Sequence, residues 1–209
     1  MLPYSAQVSK LYFRYAAMNA GKSTALLQVA FNYEERGLAV RLFTAAHDKR
    51  AGRGLIGSRL GLTREADSFG PQTVFDGPGL AAGAVASVAC VLIDEAQFLT
   101  PEQVRQLHRL AHAGHVPVIC YGLRSDFRAD AFPGSAMLLT LADDVEEMKT
   151  ICACARKATM NMRIDAAGRR VKVGEQVEIG GNERYRAVCP ACFYADDDGE
   201  MGRAPGLFA

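Results

Sequence analysis

The chain has 209 residues, 49% of them hydrophobic and 22% charged, with 24 Lys+Arg against 23 Asp+Glu. That length and composition suit one ordinary soluble α/β domain with a small appendage, and exclude a disordered or fibrous chain. The formal net charge of +1 excludes a general attraction to nucleic acid or to an anionic membrane and points to small ligands instead.

Residues 1–10 have no basic stretch followed by an apolar one, so no secretory leader is read there. The longest apolar run, residues 80–93, is too short to span a bilayer and ends in Asp94 and Glu95. A cytoplasmic location with no membrane partner is expected. In that compartment the six cysteines stay reduced, so close pairs of them suggest a metal rather than disulfides.

The first predicted element is an alternating strand from Leu11 that breaks at Ala16 into Gly21-Lys22-Ser23-Thr24 and then a helical pattern. Strand, tight turn and helix in that order form a phosphate-binding loop. The turn aims backbone N–H groups at one anion, and the helix start adds partial positive charge. Lys22 would neutralise the β- and γ-phosphates, and the Ser23 hydroxyl would ligate Mg²⁺. Ala16 stands where the first glycine of the motif is expected, which costs little if its φ stays negative. The following helix is predicted over residues 22–36, with Leu26, Val29, Ala30 and Tyr33 on one stripe and Gly37 closing it.

A second strand over residues 38–44 makes a parallel βαβ unit. Residues 45–61 are polar and Gly-rich and read as a loop at the ligand edge of the sheet, with Asp48 and Arg50 at its start. Arg50 either faces phosphates or is a solvated surface charge. Residues 62–86 are interrupted by Gly70-Pro71 and Gly77-Pro78-Gly79; a short strand near residues 73–75 and an Ala-rich helix after Gly79 are expected. Residues 87–93 are continuously apolar, as in a central parallel strand buried on both faces. That strand delivers Asp94, the candidate for the metal side, and Glu95, the candidate general base.

Thr100, Pro101 and Gln103 announce a helix by N-cap, first-turn proline and capping box, running to about residue 113 and stopping at Gly114. His108 and His112 lie one turn apart on it, but nothing acidic or thiolate accompanies them in the sequence, so they read as ordinary helix residues. A buried strand over residues 116–121 leads to a polar loop with one aromatic, Phe127, which either stacks on a planar ligand or packs against the loop. A short helix over 134–142 and a strand over 143–151 follow. Cys152, Cys154, Cys189 and Cys192 then form two close pairs suited to a structural tetrahedral Zn²⁺, whereas Cys90 and Cys120 sit in apolar strands as small core residues. Between the pairs a hairpin of residues 159–164 with 171–179 is expected, turning at 165–168. Beyond it, Gly180-Gly181 would let backbone approach a flat molecule beside Tyr185.

Taken together, Tyr12-Phe13-Arg14-Tyr15, Met18 to Thr24, Asp94-Glu95-Ala96-Gln97-Phe98, Tyr121-Gly122-Leu123, Asp126-Phe127-Arg128, Lys157-Ala158 and Gly180 to Tyr185 resemble the type II thymidine kinases of bacteria and animal cytosol. The resemblance runs from about residue 10 to residue 193. It implies transfer of the ATP γ-phosphoryl to the 5′-hydroxyl of thymidine, and of deoxyuridine, for DNA-precursor salvage. The implied fold is α/β: a P-loop (RecA-like) parallel sheet flanked by helices over residues 10–151, with a small zinc-tied lasso domain over 152–193 and a flexible tail over 194–209.

By that resemblance Ala16, Ala17, Met18, Asn19, Ala20, Gly21, Lys22 and Ser23 hold the triphosphate, with Asp48, Arg50, Asp94 and Gln97 completing the ATP side. Glu95 is the catalytic base. Phe127, the backbone from Gln176 through Val177, Glu178 and Ile179 to Gly180, and Tyr185 hold the nucleoside. Mg²⁺ falls to Ser23 and Asp94, and Zn²⁺ to Cys152, Cys154, Cys189 and Cys192. The family has histidine as last zinc ligand in many bacterial members, where this sequence has Cys192. Homotetramers inhibited by dTTP are implied as well. The rival readings are a RecA-like ATPase acting on nucleic acid and a non-catalytic zinc-ribbon module; the absence of a basic stripe opposes the first, and the intact Lys22, Ser23, Asp94 and Glu95 oppose the second.

Overall fold

The computed structural model describes residues 9–48, 52, 54–75, 88–176 and 184–195. Its centre is a six-stranded, all-parallel sheet of β1 (Leu11–Tyr15), β2 (Ala39–Ala45), β5 (Asp67–Phe69), β6 (Val88–Ile93), β7 (Val118–Gly122) and β8 (Asp144–Glu147), in the order β5-β2-β6-β7-β1-β8. Helices cover both faces, as a parallel sheet requires. The strand β6 shows why: Cys90 and Leu92 point to one layer with Leu26, Leu27 and Ala30 of α1 (Lys22–Glu34). Val91 and Ile93 point to the other, against Val104, Leu107 and Leu110 of α2 (Pro101–Ala113) and Leu138 of α3 (Pro133–Leu141). An apolar residue at every position of this strand is therefore a two-sided core.

Helix α2 begins as its sequence predicts. Thr100 Oγ1 accepts the Gln103 N–H (3.1 Å) while Gln103 Oε1 accepts the Thr100 N–H (2.9 Å). The Gln103 amide also donates to the Gly70 and Thr73 carbonyls, both at 2.8 Å, so a capping residue doubles as a clamp on a distant turn.

Several expectations change. Residues 45–61 are not one loop, because β3 (Leu55–Gly57) pairs antiparallel with β4 (Thr63–Glu65) as a small hairpin, and β5 then joins the sheet edge. Ile56 supplies the apolar anchor that the polar composition hid, being buried in the α1 layer. Residues 73–75 follow a turn at 71–72 and form no strand, and Phe75 is buried edge-on against Phe43 and Phe69. The expected hairpin of 159–164 with 171–179 keeps its turn, with Ile164 bridged to Arg170. Val171 donates its N–H to the Arg163 carbonyl at 2.8 Å, residues 177–179 lie outside the described residues, and β9 (Met160–Arg163) also pairs antiparallel with β10 (Tyr185–Val188). The two cysteine pairs flank this pairing and bring β10 back to β9. These strands and α4 (Pro190–Ala195) enclose a separate small core of Met160, Met162, Ile164, Val188 and Phe193. The helix expected after Gly79, Arg50, Val177, Glu178, Ile179, Gly180 and Gly181, and residues 196–209 of the tail lie outside the described residues.

Candidate active site at the C-terminal sheet edge

β1 ends at Tyr15 and the chain turns through residues 16–21 into α1. Ala16 keeps a negative φ, so the missing glycine costs nothing; Asn19 (φ 65°) and Gly21 (φ 80°) carry the left-handed turns instead. Gly21 is the N-cap, and a Cβ there would be strained by φ alone. No side chain caps α1 and no acidic residue sits in its first turn, so nothing competes with an anion for its leading N–H groups. Lys22 Nζ lies over the turn, donating to the Ala17 carbonyl at 3.0 Å.

Only β7 separates β1 from β6, which sets their ends about 10 Å apart at backbone level. Side chains close the gap: Ser23 Oγ donates to Asp94 Oδ2 at 2.8 Å. Two oxygens on adjacent corners of an octahedral Mg²⁺ shell stand about 2.9 Å apart. The pair thus fits the hard oxygen donors such an ion takes. Asp94 is buried, and that burial, together with the negative charge of Glu95, pushes its carboxyl up to about 7 against the opposing pull of Ser23, the Glu95 amide and Lys22. A cation beside it would reverse the effect.

Glu95 holds a left-handed conformation (φ 54°, ψ 38°), strained for a residue with a Cβ. Its half-buried carboxylate lines the same open cleft, about 830 Å³, as Met18, Gly21, Lys22 and Ser23. The catalytic candidate therefore faces the phosphate loop across a solvent-accessible space and not bulk solvent.

In the smaller unit the four Sγ atoms of Cys152, Cys154, Cys189 and Cys192 lie within 4.8 Å of one another, with Cys154 and Cys189 at 3.6 Å. Thiolates 2.3 Å from a tetrahedral Zn²⁺ stand about 3.8 Å apart, so the set fits that ion. Burial opposes ionisation of Cys152, but the backbone N–H groups of Cys154 and Cys189 outweigh it and bring the thiol down to about 7. Cys189 is lowered as well, whereas burial and the neighbouring sulfurs push Cys192 up to about 12, so the four thiols share their protons unevenly until a cation replaces them.

The thymidine kinase family matches residues 9–193. The chain belongs to that family. A thymidine kinase of Albidiferax ferrireducens is 62% identical over 194 residues, spanning 93% of this chain and 96% of its own length. One of Chromobacterium violaceum is 61% identical over 189 residues, 90% of this chain and 100% of its own length. One of Idiomarina loihiensis is 55% identical over 182 residues, 87% and 94% respectively. Among solved structures, the Pif1 helicase of Candida albicans overlays 69% of this chain and 36% of its own at a TM-score of 0.39 and 14% identity, too distant to bear on function.

Within this thymidine kinase family member the expected site residues stand as follows. Gln97, expected on the ATP side, is buried beside Glu95: its Nε2 donates to Glu95 Oε2 (2.5 Å) and its Oε1 accepts the Leu123 N–H (3.0 Å). It orients the carboxylate. Gly122 makes room for it, since a Cβ at that position would stand 2.9 Å from Gln97 Oε1. Phe127 is fully buried, with the Arg163 guanidinium 3.7 Å from its ring centroid, so that face is occupied by a cation in this state. Arg163 also donates to the Tyr185 hydroxyl (3.1 Å) and to the Glu175 carbonyl (2.5 Å), gathering Phe127, Tyr185 and the segment ahead of Gln176 around one planar group. Gln176 is half-buried, and Asp48 lies in the turn after β2, its N–H donating to the Ala45 carbonyl (2.9 Å).

Sequence reasoning missed three contributors. Arg163 is one. Asn161, buried on β9, accepts the Met18 N–H (2.8 Å) and donates to the Ser125 carbonyl (3.0 Å), tying the four-cysteine unit to the phosphate loop and to the loop after β7. A polar residue between two methionines was the one available signal. The third is the β3–β4 tip, where Ser58 and Arg59 line the cleft beside the phosphate loop. Arg59 is exposed and cationic at that rim. Arg59→Ala is expected to raise KM for ATP about fivefold while kcat changes little, as for a contact made equally in ground and transition states; steady-state kinetics with ATP varied will check it.

Proposed function

We infer that this chain transfers the γ-phosphoryl of ATP, with Mg²⁺, to the 5′-hydroxyl of thymidine and of deoxyuridine. The observation that carries the reading is the 2.8 Å contact of Ser23 with Asp94, with Glu95 next in the chain and facing the same cleft as Lys22. Residues 16–23 would cradle the triphosphate through backbone N–H groups, and Lys22 would swing from the Ala17 carbonyl to the phosphates. Ser23 and Asp94 would hold the Mg²⁺, which when bound neutralises charge on the β- and γ-phosphates. Glu95, oriented by Gln97, would accept the 5′-hydroxyl proton as that oxygen attacks in line. Phe127, Tyr185 and the backbone at Gln176 and residues 177–180 would hold the nucleoside.

On the same reading residues 10–151 act as the nucleotide-binding domain and residues 152–193 as a lasso over the base, pinned by Zn²⁺ on the four cysteines. The separate small core of that unit and the 3.6 Å Cys154–Cys189 approach support this division. Assembly as a homotetramer, inhibition by dTTP and a cytoplasmic location are carried with the family reading. Among the described residues no helix is long and apolar enough to cross a membrane. No observation favours a nucleic-acid-driven ATPase.

The test is a radiolabelled phosphate-transfer assay across the four deoxynucleosides of DNA and deoxyuridine. Label should pass to thymidine and to deoxyuridine, but not to deoxycytidine, whose N3 is an acceptor where thymine has a donor; a site built for one edge leaves buried groups unpaired with the other. Transfer to none of them would overturn the activity, and equal labelling of thymidine and deoxycytidine would overturn the base recognition.

A further inference from the structure

His108 and His112 have no acidic neighbour in the sequence, but the fold supplies one. Asp143, in the turn between α3 and β8, places both carboxylate oxygens against His112 Nε2, at 2.9 and 3.1 Å. The two imidazole centroids are 4.5 Å apart, and one ligand atom from each of the three side chains lies within 4.8 Å of the others. Donors about 2.1 Å from a shared cation stand roughly 3.0 Å apart at a right angle and 3.4 Å apart at a tetrahedral one. His112 and Asp143 are already at that spacing, and His108 reaches it by rotating on the half-buried face of α2.

The carboxylate is fixed from behind. Asp143 Oδ2 accepts the Leu11 N–H at 2.8 Å, and the Asp143 N–H donates to the Leu11 carbonyl at 2.9 Å. A ligand oriented by a second set of bonds loses less freedom on binding. The site stands at the N-terminal ends of β1 and β8, whereas the phosphate loop leaves the C-terminal end of β1. It shares no residue with the cleft or with the cysteine cluster.

We propose that His108, His112 and Asp143 form a surface site for a divalent transition-metal ion, with water completing the shell. Two imidazoles and one carboxylate suit Zn²⁺, Co²⁺, Ni²⁺ or Cu²⁺ better than Mg²⁺ or Ca²⁺, which take all-oxygen sites. The ion clamps the last turn of α2 to the start of β1, so its effect is on stability and not on phosphoryl transfer.

Co²⁺ titrated into protein already carrying one Zn²⁺ per chain tests it. A further equivalent should bind with weak visible d–d absorption and no thiolate-to-cobalt charge-transfer band. At about 100 times Kd, Tm should rise by roughly 5–10 °C. His108→Ala and Asp143→Asn should each weaken binding about tenfold or more with thymidine phosphorylation unchanged. No further equivalent at millimolar Co²⁺, a thiolate band marking exchange into the cysteines, or unaltered binding in His108→Ala would each overturn the site. His108→Ala leaves the Asp143 anchor to Leu11 in place, so its result stands even if Asp143→Asn loosens the fold.

Discussion

Glu95→Gln should lower kcat by about 10²–10⁴-fold and leave thymidine affinity within roughly threefold of the parent. The substitution keeps shape and volume, and the Gln97 amide can still donate to the remaining carbonyl oxygen, so the left-handed turn at position 95 and the cleft wall persist. What disappears is the proton acceptor. A loss in kcat and kcat/KM together marks an interaction made only in the transition state. Calorimetric binding of thymidine beside steady-state turnover separates the two quantities. Near-normal turnover would place the base elsewhere. A collapse of binding would mean that position 95 shapes the pocket and does not do the chemistry.

Cys189→Ser should release the metal and raise KM for thymidine by about tenfold or more. Cys189 is the centre of its cluster: its sulfur lies 3.6 Å from Cys154 Sγ and accepts the Cys192 N–H at 3.4 Å. The unit it closes is too small to hold its fold on apolar contacts alone, so ligand loss is felt as unfolding free energy. The disturbance should also reach the ATP side, because Asn161 joins β9 to the Met18 amide. KM for ATP is expected to rise by about two- to threefold, less than KM for thymidine, because α1 and the rest of the phosphate loop belong to the larger core. Elemental analysis of purified protein with both KM values checks the prediction. Full zinc content would show that the cysteines do not act as one ligand set.

What could be read from the linear chain was local or periodic. The phosphate loop announces itself because strand, turn and helix are contiguous and their residue types are tightly constrained. The α2 capping box spans four residues, and β6 declares its two-sided burial by having no polar position. The four cysteines were legible as one cluster because they fall in two close pairs, although the sequence does not say which strands they would join.

Tertiary structure decided the rest. That β10 pairs with β9 depends on the return of the second cysteine pair across residues distant in sequence. That Gln97 serves Glu95, that Arg163 covers Phe127 and that Asn161 bridges to Met18 are side-chain contacts fixed by three-dimensional packing, with no periodic trace in the chain. Asp143 shows the same limit from the other side. Thirty-one residues separate it from His112, and only the register of β8 against β1 brings the carboxylate to the imidazole. The order of residues determined which chemical groups were available. The parallel packing of β6, β7 and β1 decided which of them meet, because contacts between strands depend on sheet order and not on sequence order.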